Sequence, residues 1–210
     1  MQIQVKRCRA SFLNVFQPYT PTTGDAKYGA TGICDDDTRV LFTHEGKKHD
    51  IPYSDFNKVV LPILAKEKGW NKVPKILTNY VFARADETVG SRGPKISSKT
   101  EEYYDGYTED TYFFTGSTKV EKMPNGPLCV DQKRRHLNAS EGKPVSGDIV
   151  NLLLNVFMYE YEKKKGVSAS FEGIQYVKKG EHFGATAAEP SAFDEEEVED
   201  DEELEEDEGF

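Results

Sequence analysis

The chain has 210 residues, 37% hydrophobic and 11% aromatic, which suits one core-bearing domain with appendages and argues against two large domains. Its formal net charge of −10 hides a split: thirteen of the fifteen residues from Asp194 to Glu208 are acidic, and residues 1–193 carry 27 basic against 24 acidic side chains, about +3. A mildly basic body joined to an acidic block is the asymmetry of a nucleic-acid binder or of an acidic interaction tail. Cys8, Cys34 and Cys129 are odd in number and have no C-x-x-C pair, which argues against a disulfide framework or a zinc site. The N-terminal Met1-Gln-Ile-Gln-Val-Lys-Arg has no apolar h-region, and no stretch approaches the roughly 20 apolar residues that span a bilayer. The expectation is a protein of a reducing cytoplasm with no membrane partner.

In chain order, Ile3 and Val5 alternate with Gln2, Gln4 and Lys6, and Phe12 and Phe16 with Leu13 and Val15, so residues 2–16 read as a long bent strand ended by Pro18 and Pro21. Residues 26–34 are short, small and β-tolerant, and with a turn at Asp35-Asp36-Asp37 they read as a hairpin pair. Ser54 is placed to cap a helix whose apolar Phe56, Val59, Val60, Ile63 and Leu64 share one face, with Gly69 as its stop and a kink or separate first turn at Pro62. Alternation over residues 75–84 predicts a strand buried on both sides, and the polar, Gly/Ser-rich run from Ala85 to Tyr107 predicts a long surface loop. Further strands are expected at Thr111 to Val120, Asp148 to Glu162 and Val167 to Lys179. The second is long enough to pass for a helix, but its β-branched and aromatic content favours a strand. Five or six strands, one good helix and no strand-helix alternation predict a mainly β fold, a small antiparallel barrel with long loops.

Single-stranded nucleic acid offers a π-face on every base and a charge on every phosphate, so a sequence-tolerant binder needs rings beside cations. Tyr103, Tyr104, Tyr107, Tyr112, Phe113 and Phe114 lie close in sequence to Lys95, Lys99, Lys119, Lys122, Lys133, Arg134 and Arg135. Alternate members of Tyr112-Phe113-Phe114 must nevertheless be core, because opposite faces of one strand cannot both meet DNA. Tyr80, Tyr112 and Phe114 are the predicted stacking residues, and Lys95, Lys99, Lys119, Lys122, Lys133, Arg134 and Arg135 are the predicted phosphate contacts. The Lys133-Arg134-Arg135 run lies in a loop-like segment where side chains can reach phosphates, although most charge runs are only solvated surface.

The acidic run has nothing to bury and repels itself, so residues 186–210 are expected to form a disordered tail after a body of residues 1–185. Most such tails only solubilise. This one ends Asp207-Glu208-Gly209-Phe210, placing an apolar ring at the tip of an acidic tether, where a slot with a basic rim could hold it. The same acids can mimic DNA and occupy the protein's own groove. No Walker-type, dinucleotide-binding, H-E-x-x-H or G-x-S-x-G motif occurs, so no catalysis, cofactor or metal is expected. His44, His49, His136 and His182 are dispersed, and the five-residue spacing of the first two suits a hairpin.

Ala10-Ser-Phe-Leu-Asn-Val-Phe-Gln-Pro, Lys27-Tyr-Gly-Ala-Thr and Gly166-Val-Ser-Ala-Ser-Phe-Glu-Gly-Ile-Gln-Tyr-Val-Lys-Lys-Gly-Glu-His-Phe-Gly resemble the ends of a family of phage single-stranded DNA-binding proteins, long catalogued as a domain of unknown function. The resemblance runs over most of residues 8–185 and is loosest in the middle, including Asp35 to Asp37 and the loop from Ser91 to Lys99. It implies an OB-fold that coats single strands during phage replication, recombination and repair in the host cell. It also implies that Phe210, with acidic neighbours such as Asp207 and Glu208, docks on DNA polymerase or helicase-primase. A homodimer is left open. The rival reading is an acidic interaction protein, a DNA mimic or a chaperone of basic proteins, that ignores DNA.

Overall fold

The computed structural model describes residues 1–77, 81–88 and 93–183. Nine strands form one sheet among these residues: β1 (Gln2–Tyr19), β2 (Lys27–Ile33), β3 (Arg39–His44), β4 (Lys47–Pro52), β5 (Phe82–Arg84), β6 (Tyr112–Lys119), β7 (Leu128–Val130), β8 (Ile149–Tyr161) and β9 (Lys164–Lys178), with one α-helix, α1 (Phe56–Glu67). β1 is long enough to serve three partners because it bends twice. Arg7 and Phe12 take left-handed φ values of 56° and 48°, each at a register shift, so residues 3–6 pair with β3, residues 2–9 with β8, and residues 9–19 with β2. The main path runs β5-β6-β2-β1-β8-β9-β7. It curls until β6 packs on β9, where Thr118 Oγ1 donates to the Phe171 carbonyl at 2.8 Å. A Cβ on Gly116 would lie 2.7 Å from Leu154 Cδ2 of β8, and 3.4 Å from Phe171 N and 3.5 Å from Ala169 Cβ of β9, so the barrel interior leaves little room for a side chain there. The ring β1-β2-β6-β9-β8 is thus a barrel whose ladder stays open between β6 and β9. Pairing is antiparallel throughout except for β7 on β9, which is parallel and makes the sheet mixed.

Three expectations change in detail. The Asp35–Asp37 turn does not close a hairpin, since β2 pairs with β1 and β6, while the hairpin that forms is β3–β4, turning at Glu45-Gly46. Ser54 does not cap α1: a 3-10 turn over Tyr53–Asp55 precedes it, Asp55 is the N-cap without a side-chain bond, and the helix runs through exposed Pro62 to Glu67. The strand expected over 75–84 is confined to β5, and Thr78, Asn79 and Tyr80 lie outside the described residues. The interior is continuous apolar packing from β1, β8, β9 and the buried face of α1, where Phe56 meets Phe114 edge-on at 5.0 Å and Phe82 at 5.6 Å.

Candidate nucleic-acid interface

Strand alternation decides which rings are available. On β6, Phe114, Gly116 and Thr118 point into the barrel, while Phe113 points outward from the β2–β6 face. Phe114 is fully buried, 4.7 Å from the Phe82 ring, and Tyr112 on the same face stacks on Phe82 at 5.3 Å with an 18° interplanar angle. Of the predicted stacking residues, Phe114 is therefore spent on the core beneath α1, and Tyr112 is half-buried with its ring stacked on Phe82. Phe113 is buried as well, but under the loop: it packs with Ile33, Ala83, Ala85 and Tyr107 in a small cluster that Tyr103 and Phe183 border.

What the loop leaves open is a groove of about 750 Å³ lined by Ser11, Phe12, Leu13, Asn14, Tyr19, Tyr104, Asp105, Ser146 and Phe183. Its rings are accessible: Phe12 is 41% exposed, Tyr104 40% and Tyr19 57%. The left-handed backbone at Phe12 turns this side chain out of a strand whose neighbours Ala10 and Val15 are buried. Tyr104 meets Phe12 edge-on at 5.1 Å. The Lys95 ammonium lies 4.3 Å from the Phe12 centroid and 4.7 Å from that of Phe113, and Arg9 donates to the Gly106 carbonyl at 3.3 Å with its guanidinium 5.3 Å from the Phe183 ring. Rings and cations thus meet on one outer face, and Phe12, Tyr19 and Arg9 join it although the sequence pattern had not singled them out.

The other predicted cations are spread out. Lys99 is exposed in the loop, and Lys122 is exposed beyond β6. Lys119, at the end of β6, holds Asp25 at 2.6 Å, which pulls the Asp25 carboxyl below its ordinary pKa and raises that of Lys119. Lys133, Arg134 and Arg135 are exposed in a turn after β7, three strands along the sheet from β1. Buried Asp131 organises this turn by accepting from the Lys133 and Arg135 backbone N–H groups and from the Arg135 guanidinium, and these bonds, the Arg135 N–H first, hold its pKa low. The groove cluster and this turn are separate surfaces.

The last described residues lie at the groove's rim. Gly180 N–H donates to Asp148 at 3.2 Å and Phe183 N–H to Ser146 O at 3.3 Å. Gly147 has φ +100°, and a Cβ there would run into the Glu181 carbonyl, so glycine is what lets residues 180–183 cross so closely. Asp207, Glu208 and Phe210 lie outside the described residues, as does the boundary expected at residue 185.

Barrel order and a ring-lined groove on its outer face define the oligonucleotide-binding class of β-barrel. The chain belongs to the family described as Enterobacter phage Enc34, ssDNA-binding protein, whose model matches residues 87–203. It is 28% identical over 200 residues to protein p50 of Acyrthosiphon pisum secondary endosymbiont phage 1, covering 93% of this chain and 94% of that protein. Among solved structures it resembles the single-stranded DNA-binding protein from bacteriophage Enc34, with a TM-score of 0.57 and 16% identity over 92% of this chain and 90% of that one. The same protein in complex with ssDNA matches with a TM-score of 0.55 and 16% identity over 87% and 89%. The structural likeness establishes the fold.

Proposed function

We propose that this chain binds single-stranded DNA without sequence preference and acts by binding alone, in phage DNA replication, recombination and repair within the host cytoplasm. The observation that carries this reading is the groove on β1, where three exposed rings stand beside Lys95 and Arg9. Bases stack on Phe12, Tyr19 and Tyr104, each stacked base contributing about 1–3 kcal/mol, while the cations meet phosphates. Exposed Lys99, Lys122, Lys133 and Arg134 add to the positive field that attracts the strand, whereas Lys119 and Arg135 are already engaged by carboxylates. Tyr80 stays a stacking candidate on sequence grounds. Family membership supports the same ligand.

In the same reading the acidic segment competes with DNA for the groove and recruits replication proteins such as polymerase or helicase-primase through Asp207, Glu208 and Phe210. Anisotropy titrations with unstructured single-stranded and matched duplex DNA at two salt concentrations test the binding. A strand preference with steep salt dependence is expected, and indifference to both ligands overturns the reading in favour of an acidic protein-binding role. Deleting residues 194–210 is expected to tighten DNA binding at fixed salt; unchanged or weaker affinity removes the competition.

A further inference from the structure

A second basic and aromatic surface forms away from the groove, where the end of α1 meets the tip of the β8–β9 hairpin. Trp70, half-buried just past α1, takes the Lys165 ammonium 4.6 Å from its ring centroid and so ties the two segments together. Pro62, Trp70 and Val73 line an open pocket there, with Lys66 and Lys72 on its rim. The hairpin turn adds exposed Lys163, whereas the Tyr161–Lys164 pair, next in register to Glu160–Lys165, alternates to the other face of the hairpin. Its turn holds Glu162 and Lys163 at φ 47° and 65°, so a cation stands at a tip where turn geometry alone favours asparagine or glycine. Lys165 is further matched by Glu160 at 3.8 Å, but among the described residues Lys66, Lys72 and Lys163 have no ion-pair partner.

We infer that this surface is a second contact for the same DNA strand, one that the groove alone does not provide. Lys66, Lys72 and Lys163 engage phosphodiester groups, and Trp70, which lines the pocket, offers its ring to a base. The inference rests on the single-strand reading above. A polynucleotide fits better than an acidic polypeptide because the site pairs a ring with cations, the two features that every nucleotide satisfies, whereas a run of carboxylates would use only the charges. A strand held at both places gains by effective concentration, so long oligomers profit and short ones do not.

Trp70 is the single tryptophan of the chain, which makes the site its own reporter. The full chain is titrated with labelled deoxythymidine oligomers of about 40 nucleotides and of about 8, the latter within the site size of one barrel. Anisotropy of the label and Trp70 emission are both followed. The long oligomer is expected to quench Trp70 saturably, with the same midpoint as the anisotropy change. Replacing Lys66, Lys72 and Lys163 together by Gln is expected to cost about tenfold in affinity for the long oligomer and to lower its salt slope by about 2, at roughly 0.7 per lost phosphate contact. The short oligomer should change less than about twofold. Long-oligomer binding with unchanged Trp70 emission and unaltered affinity in the variant overturns the second contact while leaving the groove intact. Quenching by a peptide of residues 194–210 but not by DNA assigns the surface to the acidic segment instead, and also overturns it. Absence of any anisotropy change with either oligomer brings down the single-strand reading itself, and this contact with it.

Discussion

Lys95 holds its ammonium 4.3 Å from the centre of the Phe12 ring, so a cation and an exposed aromatic face meet at one corner of the groove. The pairing orients the ring and leaves 41% of Phe12 open to a base. Phe12→Ala is expected to weaken single-strand binding by about 1–3 kcal/mol, roughly 5- to 150-fold, with little change in salt slope, since a stacking contact releases no counterions. Lys95→Gln should instead lower the slope by about 0.7 as one phosphate contact disappears. Anisotropy titrations over a salt series separate the two, and equal slopes in all three proteins would remove Lys95 from the interface.

Phe114 provides the opposite control. It is fully buried between Phe56 and Phe82, and truncating such a ring leaves a cavity. Phe114→Ala is expected to cost about 3–5 kcal/mol of stability in urea melts while the folded fraction binds DNA as before. A loss of affinity without a loss of stability would return Phe114 to the binding surface.

The difference between Phe12 and Phe114 also marks how far the sequence could be read. Alternation along β6 and β8 and the apolar face of α1 announced themselves, because a period of two or 3.6 survives whatever the element packs against. The side of β6 that faces inward did not: Tyr112 and Phe114 could as well have pointed out until α1 and β5 were seen to cover them. Phe12 was hidden for another reason, since its exposure comes from a left-handed residue that breaks the alternation of β1, and phenylalanine carries no local signal for that conformation. The same bulged strand lets β2 and β3, neighbours in sequence, pair with different stretches of β1, which is why a hairpin was expected where none forms. The basic run at Lys133–Arg135 was legible as charge but not as position, because the parallel docking of β7 on β9 joins segments more than 40 residues apart.

Asp25 gives a gain-of-binding test. Its carboxylate takes up the Lys119 ammonium at 2.6 Å, and both side chains are well exposed. Asp25→Asn should release that cation from its nearer carboxylate, leaving only Glu121 at 3.9 Å, and raise both affinity and salt slope slightly, by about 0.7 in slope if Lys119 then meets one phosphate. Adding Lys119→Gln to the variant should cancel the gain. If Asp25→Asn leaves the slope unchanged, Lys119 lies off the DNA path.

Tyr107 carries a polar atom that its surroundings do not satisfy. Among the described residues its hydroxyl is buried without a hydrogen-bond partner, and burial pushes the phenol's pKa up, against a smaller lowering from the nearby Ser11 side chain. The ring packs on Phe113 at 6.0 Å and Phe12 at 6.2 Å, contacts that phenylalanine would keep. Tyr107→Phe is accordingly expected to stabilise the fold by about 1–3 kcal/mol, the range set by desolvating an unpaired polar group. A destabilised variant in thermal or urea melts would mean that the hydroxyl has a partner after all.

Asp131 ties the stability of the basic turn to pH. Its carboxylate accepts two backbone N–H groups and the Arg135 guanidinium, and the Arg135 N–H above all lowers its pKa in the folded state. A group whose folded pKa is depressed stabilises the fold above its unfolded value, about 3.9 for aspartate, and loses that contribution as pH falls through the folded value. Asp131→Asn should therefore destabilise the protein at neutral pH, with the gap between variant and wild type closing only as pH drops below about 4. Urea melts of both proteins at neutral and acidic pH measure the gap directly. A gap that stays constant across that range would show that the amide keeps the turn as well as the carboxylate does, and that charge at this position contributes nothing to holding Lys133 and Arg135 in place.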